Sequence, residues 1–186
     1  GVSGFQIQFS SHDVHTPGDA PTVLVAMNPA ALIANIHDLK SGGMVIVNTD
    51  KFTDRDLAKA DLETNPLEDG SLDAFQLVPV QLTKLTRGAV DGLGLGAKES
   101  DRCKNFFALG VLCWLYARPM EATIRWLSGK FKDQVLEGNI RTLKAGYAFG
   151  ETTELFPASF VVPSAKIEPG TYRNITGNQA LAWGLV

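Results

Sequence analysis

PTVLVAMNPAALIANIHDLKSGGMVIVNT, residues 21–49, decides the fold. Residues 22–27 are a nearly continuous apolar run with two valines, the pattern of a strand buried on both faces of a parallel sheet. Asn28 is placed to cap a helix, and Pro29 follows at the first helical position, where the missing N–H costs nothing. Ala31, Leu32, Asn35 and Leu39 then keep helical spacing until Gly42 and Gly43 stop the helix and residues 44–47 begin a second apolar strand. A strand–helix–strand unit this short predicts parallel strands joined by a right-handed crossover. Ligands of such sheets sit beyond the carboxyl ends of the strands. Here those ends are Met27 and Asn28, then Asn48, Thr49 and Asp50.

Outward from this unit the chain alternates in the same style. Phe5, Ile7 and Phe9 alternate with glutamines, which predicts a half-buried strand. A polar loop with a Pro17-Gly18 turn signal joins it to the central unit. Thr53 or Asp54 is expected to cap a short helix through Ala60. Residues 75–80 read as a third parallel strand, and residues 83–90 as a helix ended by Gly92, Gly94 and Gly96. Ser100 is expected to cap a long helix over 101–117, followed by helices over 120–131 and 135–149 with single apolar stripes. Pro163 to Gly170 reads as a linker, and Asn178 is expected to cap a helix of barely two turns. The fold class is therefore α/β: a mainly parallel sheet flanked by helices, with a carboxyl-terminal helical cluster.

Composition narrows the function classes. The 186 residues are 45% hydrophobic and 20% charged, with a net charge of −3, so no electrostatic footprint for nucleic acid or an anionic membrane stands out. The apolar run 106–116 is too short to cross a bilayer, which takes about 20 residues. The opening residues lack a signal peptide's basic and apolar regions, so a cytoplasmic location is expected and the Asn174 sequon carries no meaning. Cys103 and Cys113 lie ten residues apart on different faces of one predicted helix, which disfavours a disulfide or a shared metal.

Most chemistry-bearing candidates read as structure. His12, Asp13 and His15 fall short of a metal site, with only His37 elsewhere, so a solvated loop is the better account. The acidic loop 61–73 fails the EF-hand pattern, having Pro66 and Leu72 where glycine and glutamate are required. The run Gly92, Gly94, Gly96 and Lys98 follows a helix rather than a strand and lacks the spacing of a phosphate loop. Two cysteines cannot supply the four thiolates of an iron–sulfur cluster. What remains is a polar rim at the strand ends: Ser10, Ser11, Asn28, Asn48 and Thr49, with Asn105 near the start of the long helix. Asn28 serves there as a helix cap, or its helix N-terminus faces a ligand anion.

The segments VLVAMNPAAL (23–32), NPLEDGSLDAF (65–75), KNFFALG (104–110) and FGETTE (149–154) resemble the 2-oxoacid:ferredoxin oxidoreductase family. The likeness is to the amino-terminal gamma domain of alpha subunits that act on 2-oxoglutarate and fuse this domain to a thiamine-pyrophosphate pyrimidine-binding domain. It implies a Rossmann-like domain over 1–168, entered after its first strand and glycine-rich turn, and over 169–186 a linker with the first helix of the second domain. On that resemblance the chain is a fragment. The implied chemistry is oxidative decarboxylation of a 2-oxoacid with acyl transfer to coenzyme A, using thiamine diphosphate, Mg2+ and [4Fe-4S] clusters. None of these groups is expected on this chain alone, which would be inactive by itself. Implied partners are the beta subunit and ferredoxin. The resemblance leaves this domain assembly and the coenzyme A entrance, so the rim residues become candidate coenzyme A contacts. The other classes are a freestanding nucleotide- or acyl-CoA-binding domain and an assembly module without ligand. The apolar tail, with Leu181, Trp183, Leu185 and Val186, is expected to pack poorly and to promote self-association.

Overall fold

The computed structural model describes residues 3–14, 18, 20–173 and 175–185. His15, Pro17, the Asn174 sequon position and Val186 therefore lie outside the described residues. Three strands, β1 (Val23–Ala26), β2 (Met44–Asn48) and β3 (Gln76–Val80), form one parallel sheet in the order β1-β2-β3. Val25 pairs with Ile46, which pairs with Val78. Helix α1 (Pro29–Asn35) and a 3-10 turn, Ile36–Asp38, connect β1 to β2. A second 3-10 turn, Thr49–Lys51, and helix α2 (Asp54–Ala58), capped by Thr53, lie between β2 and the acidic loop.

The expected strands, their direction and their shared sheet are observed, but their roles differ from expectation. β1 is an edge strand with only Ala26 fully buried, whereas all five residues of β2 are buried. Alternate side chains of β2 feed separate cores. Met44 and Ile46 pack with Val78, Val80, Leu82, Phe107, Val111 and Leu115. Val45 and Val47 pack with Ala26, Leu32, Ile36, Leu39, Phe52 and Leu57.

The expected strand at Phe5, Ile7 and Phe9 is not formed. Phe5 is 90% exposed and Ile7 68% exposed. Alternation prepares a segment for pairing, but a strand also needs a neighbour's ladder, and none of the described strands takes this segment. Only its last aromatic is anchored, Phe9 meeting Tyr116 edge-on at 5.1 Å.

After β3, helix α3 (Leu82–Ala89) leads to a glycine loop, and the single long helix expected next is two. Helix α4 (Ala97–Arg102) begins at Gly96, whose N–H donates to the Glu99 carboxylate, so Ser100 lies inside a helix and caps nothing. The chain breaks at Cys103 and restarts as α5 (Lys104–Leu115). Helix α5 ends with Ala117 at a left-handed φ of 49° and Arg118 N–H donating to the Cys113 carbonyl, a Schellman closure without the usual glycine. Helices α6 (Glu121–Lys130) and α7 (Asp133–Thr152) follow. Helix α8 (Gly177–Gly184) is capped by Thr176 in a capping box with Gln179, not by Asn178. None of its residues is buried.

The helical layer is organised by a seam between α5 and α7. A Cβ on Gly110 would strike the Leu143 carbonyl and come within 2.9 Å of the Tyr147 nitrogen. One on Gly146 would strike the Phe107 carbonyl, and one on Gly150 would come within 2.7 Å of the Trp114 ring. Both helices thus meet backbone to backbone. Gly146→Ala is expected to lose at least the about 1–3 kcal/mol typical of an overfilled core, since backbone cannot rotate aside. Gly129→Ala, where an added Cβ meets nothing within 4 Å, should be neutral or gain up to about 1 kcal/mol. Urea denaturation with unchanged m distinguishes the two, and equal midpoints would refute the seam.

Candidate functional site

The carboxyl edge of the sheet is built by the ends of β1 and β2 and the starts of the helices that follow. Asn28 takes extended backbone, and its Oδ1 accepts from Ala31 N–H at 2.8 Å. It is thus the cap of α1, as its helix-capping role predicts. Asn48 is fully buried at the end of β2. Its amide donates to Thr83 Oγ1 at 3.1 Å and its carbonyl accepts from Thr83 N–H at 3.4 Å. Two residues on, Asp50 accepts from Lys84 N–H at 2.9 Å. The first turn of α3 is therefore closed by side chains from β2 and its following turn.

Of the first-turn N–H groups that make a helix N-terminus a ready anion site, those of Ala31 in α1 and of Thr83 and Lys84 in α3 are engaged by side chains. Asn48 has no exposed surface, and both of its side-chain hydrogen bonds go to Thr83, so it fixes α3 against the sheet. Thr49 is partly buried in the 3-10 turn. Ser10 and Ser11 lie on the amino-terminal extended segment, with Ser10 Oγ 2.7 Å from His12 Nδ1. His12 is exposed, and among the described residues no group of three or more His, Cys, Asp or Glu is placed to hold a metal ion.

Asn105 is exposed on the first turn of α5. Tyr116, just past the far end of that helix, lies close to Thr22 just before β1, so α5 runs against the strands and its start faces the carboxyl edge. Charge interactions agree: Lys104 and Lys51 both act on Asp101, and Asp50 acts on Arg87. Asn28, Asn48, Thr49 and Asn105 are thus brought to one edge. Sequence reasoning missed the charged groups there. Arg87 and Asp101 form a two-pronged pair, Nε to Oδ1 at 2.7 Å and Nη2 to Oδ2 at 2.9 Å, leaving Lys51 and Lys104 as cations without an ion pair among the described residues. A pair fourteen residues apart has no local signature.

Hydrogen bonding from Arg87 holds the Asp101 carboxyl below its usual range, against a smaller opposing effect of burial. Burial pushes both thiols up, helped at Cys103 by Glu99 and opposed by Thr142, and opposed at Cys113 by Arg118. Neither cysteine is prepared as a thiolate nucleophile. Gly92 and Gly94, both at positive φ, border an open cleft of about 580 Å3 with Arg87, Leu95 and Ser100. No rim residue lines it.

Comparison with known proteins gives this geometry a context. Residues 1–149 match the family model for pyruvate ferredoxin/flavodoxin oxidoreductase. Over its whole length the chain is 52% identical to the 2-oxoglutarate oxidoreductase subunit KorA of Mycobacterium tuberculosis, and it spans 29% of that protein's length. Among solved structures it is similar to the 2-oxoglutarate:ferredoxin oxidoreductase from Magnetococcus marinus with 2-oxoglutarate, coenzyme A and succinyl-CoA bound. There the TM-score is 0.57 at 20% identity, covering 83% of this chain and 24% of that one, a likeness of fold.

Asn48→Ala is expected to cost about 1–3 kcal/mol, because Thr83 keeps a buried donor without its partner. Asn28→Ala should cost about 1 kcal/mol as a lost cap, and Asn105→Ala little; chemical denaturation ranks the three. The Arg87–Asp101 pair adds a pH signature. A carboxyl lowered on folding stabilises above its unfolded pKa, and the contribution disappears as pH falls through the folded value. Asp101→Asn should therefore flatten the acid limb of the stability profile, and an unchanged limb would assign that dependence elsewhere.

Proposed function

The chain belongs to the pyruvate ferredoxin/flavodoxin oxidoreductase family, and from that premise we propose that it is the gamma domain of an alpha subunit of a 2-oxoglutarate:ferredoxin oxidoreductase. The observation that carries this is the 52% identity to KorA across every part of the chain. The parent reaction would oxidise and decarboxylate the 2-oxoacid, pass the acyl group to coenzyme A and deliver electrons to ferredoxin in the cytoplasm. When bound, thiamine diphosphate supplies the carbanion chemistry and the clusters carry the electrons. The residues present do not fit those groups: the two cysteines are buried and single, and the described carboxylates gather into no metal site. In this proposal thiamine diphosphate, Mg2+ and [4Fe-4S] belong to the remainder of the complex, the beta subunit included.

For this domain we propose assembly as the main role. Its polar rim, Asn28, Thr49 and Asn105, with Lys51 and Lys104, would face the coenzyme A entrance, and Asn48 would hold that edge in shape; Ser10 and Ser11, next to Phe9 on Tyr116, stand toward the opposite edge and fall outside it. An assembly module without ligand is the second reading. It is favoured by the closure of the α1 and α3 N-termini with the chain's own side chains.

The domain division is also proposed, with 1–168 as the gamma domain and 169–186 as linker and first helix of the next. The wholly exposed α8 supports the second part. Support for a further strand beside β1 comes from its outer edge. Val23 and Val25 border one core and Leu24 the other, yet the strand carries neither charge nor proline to discourage pairing. The opposite edge, β3, has exposed Pro79, which a strand tolerates where the missing N–H faces outward.

A chimaera tests the assignment. Replacing the matching segment of the Mycobacterium tuberculosis subunit by this chain is expected to retain 2-oxoglutarate- and coenzyme A-dependent reduction of ferredoxin. A folded, assembled but inactive chimaera would overturn it. The purified 186-residue chain with thiamine diphosphate should show no turnover above a mock preparation. Coenzyme A, but not NAD or ATP, should raise its melting temperature if the rim reading holds; no shift would leave the assembly module. Truncation after Pro169 should leave the melting temperature nearly unchanged, and a loss on the scale of about 2–5 kcal/mol would move the boundary.

A further inference from the structure

Helix α6 and the acidic loop before β3 carry features that the cores leave unused. On α6, Leu127 is buried, whereas Trp126 is 56% exposed. The indole is nevertheless held in place: it stands edge-on to Phe131 at 6.2 Å, and Phe131 stands edge-on to Phe106 at 6.2 Å. A half-exposed tryptophan fixed by other aromatics is a rigid anchor, and such side chains dominate interface energies. On the same helix face Ala122 precedes it and Lys130 follows it one turn away, while the space around Gly129 is open. Arg125, Lys130 and Lys132 lie on α6 or just after it and have no ion pair among the described residues. Against Glu121 and Asp133 they leave residues 121–133 with one net positive charge, on a chain of net charge −3.

The complement lies on the other side of the sheet. Residues 61–73 contain five carboxylates and no lysine or arginine. Beside them is a shallow depression of about 280 Å3 floored by Pro66, Leu67, Leu72, Phe75 and Leu77, with Asp73 at its margin. Hydrogen bonds from Ser71 and Thr64 keep the carboxyl of Asp69, in the same loop, below its ordinary range. This depression backs onto the core shared with α1 and α2, whereas α6 packs on α7 in the opposite layer. With the sheet between them, the two surfaces meet only across molecules.

We propose that Trp126 of one molecule docks into the depression beside β3 of a second copy, with the α6 cations facing the carboxylates of residues 61–73. The contact is heterologous, so it propagates head to tail rather than closing on itself. Charge steers it, and salt weakens it.

Sedimentation equilibrium of the full chain tests this. The expected result is concentration-dependent association that falls at high salt and weakens by about tenfold or more in Trp126→Ala. Arg125→Glu with Lys130→Glu should abolish self-association, as should Asp69→Lys with Asp73→Lys. Mixing these two charge-reversed proteins should restore it, since each then offers the other's complement. All the altered positions are on the surface, and unchanged circular dichroism checks the fold. A strictly monomeric chain would overturn the proposal. So would association that is indifferent to these substitutions and disappears only on truncation after Pro169, which would assign it to α8.

Discussion

Everything in this fold hangs from β2. Its five residues are buried, and the two-residue period of a strand divides its apolar side chains between two cores, one on each face of the sheet. One core is closed by α3 and α5, the other by α1, the following turn and α2. Slipping β2 by one residue would exchange Met44 and Ile46 for Val45 and Val47 across the sheet, overfilling one side and emptying the other. The register is held from both flanks, by β1 through Val23 to Ala26 and by β3 through Gln76 to Val80. Asn48 then carries the constraint past the strand, because its amide binds Thr83 and sets where α3 begins.

The outer helical layer depends on a different rule. Between α5 and α7 the limiting contact is peptide against peptide, at Gly110 with Leu143 and Tyr147, and at Gly146 with Phe107. Close approach lets Phe107, Val111 and Leu115 stay pressed on the sheet while Leu143 is buried behind them. Gly138, Gly146 and Gly150 are separated by eight and four residues, intervals that keep them near one helix face, so this pattern was present in the sequence. Its meaning was not, since a glycine in a helix reads first as a weakness.

Legibility followed the range of each interaction. Asn28 and Pro29 act on their nearest neighbours, so the cap and the first turn were readable; the stop was not, because α1 ends at Asn35 and the 3-10 turn at Asp38, before Gly42 and Gly43 are reached. The apolar cores of all three strands were readable too. The segment with Phe5, Ile7 and Phe9 has a strand's alternation but no ladder to join, and pairing is not a property of one segment. Ser100 and Asn178 are capping residue types displaced from the caps, and Gly96 with Glu99, and Thr176 with Gln179, do that work. At the candidate site, the grouping of Asn28, Asn48 and Thr49 followed from the strand ends. The closure of α3 by Asn48 and Asp50, across 35 and 34 residues, and the Arg87–Asp101 pair did not, because each joins distant positions.

Those long-range bonds also decide what this edge is chemically. A parallel sheet normally offers a ligand the positive ends of its helices, free N–H groups aimed into a crevice. Here the chain's own carboxamides and Asp50 occupy the Ala31, Thr83 and Lys84 donors, and Asp101 answers Arg87. At this edge the cations without an ion pair among the described residues are Lys51, Lys84 and Lys104, whose charge rides on flexible stems rather than on fixed backbone dipoles. Mobile cations of that kind contribute attraction without defining a pose, whereas preorganised donors define one. Such cations would attract an anion without fixing its orientation, which accords with the proposal that this edge faces a coenzyme A entrance completed by surfaces outside these residues.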